Sequence, residues 1–127
     1  DNLLDTQFSL GGGVICYSAL QQGLLTNKYI DAIPEDSRAK NPDAIWLKEK
    51  DVTKELVEKL KKLDVIAKKR GQTIAQMALV WTLRNEKMTS ALISTSKVKQ
   101  LEENIQALDN MTFTDDELKA IDDILNS

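Results

Sequence analysis

The chain has 127 residues, 42% of them hydrophobic and 29% charged, with a formal net charge of −3. That balance is typical of a globular, water-soluble protein, and the acidic sign argues against nucleic acid as a general partner. No apolar run approaches the roughly 18 residues of a membrane-crossing helix. The single Cys16 has no internal disulfide partner, so a reducing cytoplasm is the expected compartment.

Leu3, Leu4 and Phe8 read as the last turns of a helix that Gly11-Gly12-Gly13 ends. No initiator Met precedes them, and the chain is expected to be a fragment of a longer protein. Val14–Tyr17 is a short, nearly all-apolar run, the pattern of a parallel strand covered on both faces. A long excursion follows from residue 18 to residue 52, holding both prolines and many charges. Segments of this length without periodicity are usually functional or disordered. Within it, Ile45-Trp46-Leu47 is expected to anchor the loop.

Thr53 is placed to cap a helix whose Leu56, Leu60, Leu63 and Ala67 form one stripe before Gly71 ends it. Thr73 with Gln76 makes a capping box for the next helix. Its buried face is expected to be Ile74, Met77, Ala78 and Trp81, widened by Leu79 and Leu83. Ala91–Ile93 reads as a second strand, and Leu101, Ile105 and Leu108 mark an amphipathic helix after it. Ser96 falls where that helix's N-cap belongs, with Lys97 directly after it. A helix start offers free N–H groups and a positive dipole end, hence an anion site. Gln100, Glu103 and Asn104 share one side of the first turns with such a ligand. The alternative is an ordinary capped helix with a polar face. Thr114 and Glu117 form a last capping box, and Leu118, Ile121 and Leu125 the inner face behind it.

Strands alternating with helices give an α/β chain with parallel pairing, the helices at 53–70 and 73–84 serving as the right-handed crossover. Two strands make too small a parallel sheet to be covered on every side, so a raw apolar edge is expected. The piece is expected to self-associate or to pair with a complementary half.

Several motifs share a resemblance. ALISTSKVKQLEEN resembles the last strand–turn–helix of the aldo-keto reductases, and ICYSALQQGLLTNKY their preceding strand and cofactor loop. IPEDSR and IWLKEKD extend the likeness toward the bacterial aldehyde-reducing branch and the β subunits of voltage-gated potassium channels. It runs from about Leu3 to Leu125. The fold implied is a partial (β/α)8 TIM barrel, roughly the last two strands and their helices, because a whole barrel needs about 250 residues. The whole of residues 1–127 would then be the C-terminal fragment of one barrel domain, with 18–52 as its cofactor and substrate loop. A channel-subunit-like binding role and a non-functional truncated product are the rival readings.

The resemblance implies an NADP(H) cofactor and a parent that reduces small aldehydes or ketones without metal. Ser18, Leu20, Gln22 and Gly23 match the loop that wraps the pyrophosphate, and Tyr17 the aromatic that stacks on the nicotinamide. Lys28 and Arg38 match phosphate-binding cations of the channel subunits; on composition alone they would be solvated surface charges. Ser94, Ser96, Lys97, Gln100, Glu103 and Asn104 match the pocket for the 2′-phosphate and adenine. Ala19 replaces the family's usual proline and Ser94 its usual glycine, so Ser94 would be strained if φ there is positive. Asp36 stands where the channel subunits carry tyrosine. The catalytic tyrosine, lysine, aspartate and histidine come from the family's first half; this chain has no histidine and assigns none of the four roles.

Overall fold

The computed structural model describes residues 2–127. Helix α1, Leu3–Ser9, runs into a turn where Gly11 takes φ 73°, a left-handed conformation that glycine adopts without steric cost. Strand β1 is Ile15–Cys16 and pairs in parallel with β2, Ser90–Ala91, in the register Ile15 to Ser90 and Cys16 to Ala91. Both are shorter than the apolar runs at 14–17 and 91–93. Hydrogen bonding still reaches beyond them: Thr89 N–H donates to the Val14 carbonyl at 2.9 Å and Leu92 N–H to the Cys16 carbonyl at 2.8 Å.

The long excursion is ordered by four short 3-10 turns, Gln21–Gly23, Asn27–Tyr29, Arg38–Lys40 and Glu49–Asp51. Of the expected anchor only Leu47 is buried, while Ile45 and Trp46 face outward. Residues 45 and 46 form a bend and not a strand, and the knot buries one of its three residues.

Helix α2, Lys54–Lys69, begins at Thr53, whose hydroxyl accepts the Leu56 N–H, and ends with Gly71 left-handed. Helix α3, Ile74–Leu83, starts in the expected capping box of Thr73 and Gln76. Its buried residues are Ile74, Gln76, Met77, Leu79 and Val80, with Ala78 and Trp81 only half-buried. A single stripe was the wrong expectation, because α3 is packed on two sides. Ile74 and Met77 join Leu60, Leu63, Ala67 and Ile121 in one core, while Leu79 and Val80 join Ala107 in a second, beneath β2. A helix enclosed in this way carries apolar residues all round.

Helix α4, Val98–Ile105, continues into a 3-10 turn at Gln106–Asp109, and α5, Asp115–Leu125, starts in the Thr114–Glu117 capping box. Its inner face is Leu118, Ile121 and Ile124, with Leu125 exposed. Leu101, Ile105 and Leu108 are also exposed, because nothing among the described residues covers that side of α4. Lys87 pairs with Asp5 and so ties α1 to the α3–β2 loop. That hydrogen bond and the charge of Asp5 raise the Lys87 pKa above 10.5, so the tie is lost only as pH rises through that raised value.

The sheet is covered on one face only. Val14, Cys16, Ala91 and Ile93 turn toward the helices, whereas Ile15, Tyr17 and Leu92 are 67%, 80% and 65% exposed. Both outer strand edges also lack a neighbour among the described residues. Burial of apolar surface is worth roughly 25 cal/mol per Å², so a few hundred Å² gives a strong drive to associate. Light scattering at micromolar concentration should therefore find species larger than the 14.2 kDa monomer. A monodisperse monomer with cooperative unfolding would show the exposed face to be tolerated.

Candidate functional site

Beyond the end of β1 the chain turns abruptly through four residues of positive φ. Ser18, Gln21 and Gln22 adopt φ of 59°, 47° and 59°, and Gly23 takes 96°. Left-handed backbone costs a non-glycine residue about 1 kcal/mol or more, and such strain concentrates at ligand-binding turns. Ser94 is free of it, so its replacement of glycine carries no conformational cost here.

This strained loop forms one wall of a cleft of about 740 Å³. The opposite wall is the segment from Leu92 to Ser96 and the first turns of α4; the Asn27–Tyr29 turn and Arg38 close one side. Twelve of the thirteen candidate residues line it: Tyr17, Ser18, Leu20, Gln22, Gly23, Lys28, Arg38, Ser94, Ser96, Gln100, Glu103 and Asn104. Lys97 does not line it. The α4 N-cap is Lys97 rather than Ser96, with extended backbone (φ −135°, ψ 137°) and no side-chain cap. The helix thus starts one residue later than the hydroxyl pattern implies, which leaves Ser96 in the cleft and Lys97 exposed beside it.

Charge in the cleft is largely uncompensated. Among the described residues Lys28, Arg38 and Lys97 form no ion pair. The carboxylate lining it, Glu103, is engaged at 3.9 Å by Lys99. The Glu103 backbone is held separately: the buried Gln76 accepts the Thr73 N–H at 2.9 Å and donates to the Glu103 carbonyl at 2.7 Å. One side chain thus caps α3 and registers α4 against it.

Sequence reasoning passed over Thr26, Asn27, Thr73 and Thr95, which also line the cleft. Their signal was weak, since small polar residues in a loop are ordinary turn formers. No group of three or more His, Cys, Asp or Glu side chains suited to a metal occurs among the described residues, and no helix there is long and apolar enough to cross a membrane.

A parallel strand pair crossed over by helices, with a polar cleft at the strand ends, is the architecture of a segment of a (β/α)8 barrel. The chain belongs to the aldo/keto reductase family, whose model matches residues 1–126. It is 47% and 46% identical over 122 residues to the L-glyceraldehyde 3-phosphate reductases of two Escherichia coli strains, matches that cover 94% of this chain and 35% of each relative. In three dimensions it resembles the glycerol dehydrogenase of Gluconobacter oxydans, with TM-score 0.67 and 26% identity, over 98% of this chain and 37% of that one. It therefore spans about a third of the length of the relatives it matches, and the fold is a partial (β/α)8 barrel.

Proposed function

We propose that this chain is the cofactor-phosphate-binding, C-terminal part of an NADP(H)-dependent, cytoplasmic aldo/keto reductase whose whole length reduces small aldehydes or ketones. The observation that carries the reading is the cleft itself. Lys28 and Arg38, without carboxylate partners, stand with the hydroxyls of Ser94 and Ser96 and with a loop held in left-handed backbone. Cations and oriented donors of this kind suit phosphate oxygens. Relatives named for glyceraldehyde 3-phosphate and glycerol support a small, polar substrate class.

When bound, the nicotinamide cofactor supplies hydride. The loop of Ser18, Leu20, Gln22 and Gly23 surrounds the pyrophosphate, with Lys28 and Arg38 neutralising it. Ser96 donates to the 2′-phosphate, and Lys97 adds positive charge from the rim. Gln100, Glu103 and Asn104 offer the donors and acceptors that adenine needs. Tyr17 presents its exposed ring to the nicotinamide.

Fluorescence titration tests the reading. NADPH should bind the protein carrying this chain, and Lys97→Ala should weaken it by about 1 kcal/mol, roughly fivefold, the low end for a charge-assisted contact because Lys97 is exposed at the rim. NADH, which lacks the 2′-phosphate, should be little affected. Equal losses for both cofactors would remove Lys97 from the 2′-phosphate site, and absence of NADPH binding by the unaltered protein would overturn the reading.

A further inference from the structure

Asp64 is out of place in the stripe it occupies. It lies on α2 among Leu60, Leu63 and Ala67 and is 7% exposed. A carboxylate there is tolerated only if both oxygens are engaged. One accepts a hydrogen bond from Lys68 Nζ at 2.6 Å, and the other accepts from Asn27 Nδ2. The far end of the Asn27 amide, Oδ1, accepts the Ile74 N–H at the start of α3, at 3.4 Å. The amide orientation follows from chemistry: the carboxylate needs the NH₂ and the helix N–H needs the oxygen. Asn27 is therefore clamped between two helices, although it belongs to the cleft wall.

What the clamp holds is Lys28. Immediately before it, Thr26 Oγ1 donates to the Gly23 carbonyl at 2.7 Å. Immediately after it, Tyr29 is 1% exposed in the core, and the Lys28 ammonium sits 5.6 Å from that ring's centroid. The same ammonium lies 3.6 Å from where a Cβ on Gly23 would stand. Lys28 is thus carried by a turn fixed at both ends and is laid beside the loop that surrounds the cleft. A flexible cation fixed in this way has less freedom to lose when an anion arrives.

We infer that Asn27, locked by the buried carboxylate of Asp64, is the positioning residue that presents Lys28 to the pyrophosphate of the cofactor; this rests on the cofactor reading above. Two probes separate the ends of the cleft. NADPH carries the pyrophosphate, whereas adenosine 2′-monophosphate keeps the adenine and 2′-phosphate without it.

Asn27→Ala and Lys28→Ala should each weaken NADPH about fivefold, the scale of one charge-assisted contact, and leave adenosine 2′-monophosphate unchanged. The double variant should lose no more than Lys28→Ala alone, because both substitutions remove the same contact. Asp64→Asn keeps an acceptor oxygen for Asn27 and should bind NADPH like the unaltered protein. Asp64→Leu removes the acceptor and should reproduce the Asn27→Ala loss. Should Asp64→Leu fail to fold, Asn27→Ala on the exposed turn and the double variant decide alone. Additive losses in the double variant, an undiminished affinity in Asn27→Ala, or an equal loss for adenosine 2′-monophosphate would overturn the positioning role while the cofactor reading stands. Failure of the unaltered protein to bind either probe would overturn both.

Discussion

Given NADPH and a reactive aromatic aldehyde, the rigorously purified 127-residue chain should oxidise no cofactor above the rate in buffer. Carbonyl reduction needs hydride delivered to carbon and a proton delivered to oxygen, and no residue of this chain is expected to deliver that proton. The chain has no histidine. Its two tyrosines are in the wrong surroundings: Tyr17 is 80% exposed at the mouth of the cleft, while Tyr29 is 1% exposed, its hydroxyl without a hydrogen-bond partner. A phenol is a poor acid at neutral pH unless charged neighbours stabilise its anion, and a well-placed general acid contributes about 10²–10⁴-fold. Binding and turnover are thus expected to separate in this chain. Sustained oxidation that survives repurification would show that a proton donor had been overlooked.

Arg70→Ala should be the most damaging single substitution outside the apolar core. The Arg70 side chain is 2% exposed and engages four groups at once. Its Nη1 donates to Glu117 at 2.7 Å, its Nε to Gln72 Oε1 at 2.9 Å and its Nη2 to the Asn110 carbonyl at 3.2 Å, and its guanidinium lies 3.8 Å from the Phe113 ring centroid. Asn110 Nδ2 returns a hydrogen bond to the Arg70 carbonyl. The knot joins the end of α2 to the segment leading into α5, and Glu117 in it is also the capping-box residue of α5.

Removing one partner of a buried pair costs about 3–5 kcal/mol, which Glu117, being partly exposed, reduces to about 3. For a chain of this size that lowers Tm by roughly 10 °C. Arg70→Lys should recover less than half, since an ammonium provides neither the planar fork nor the stacking. Thermal unfolding followed by circular dichroism reads both; a drop of only a degree or two for Arg70→Ala would show the knot to be decoration.

Local signals in the chain were strong where one residue decides the outcome. Thr53, Thr73 and Thr114 each accept the N–H three residues on, and Gly71 takes the left-handed conformation that ends α2. A short-range hydrogen bond or a missing Cβ acts within one turn, so these positions are legible without knowing what surrounds them. The candidate site residues came from the family resemblance and not from local preference. They cluster at 17–38 and 94–104, just beyond two strands, and a parallel pair brings both clusters to the same end.

Contacts between distant segments were not legible. Nothing near Asp64 in the chain distinguishes it from the other charges of α2; only the approach of Asn27 explains its burial. Arg70 likewise reads as an ordinary base at a helix end until residues 110–117 fold over it. The sequence by itself determined the order of elements and the threonine caps of α2, α3 and α5, because those rest on spacing and on local backbone preference. Which face of the sheet is covered, that α3 serves two cores, and that Lys97 stands outside the cleft while Ser96 stands in it were decided by tertiary structure. Those outcomes depend on what packs against each element, and side-chain period alone does not say which neighbour will arrive.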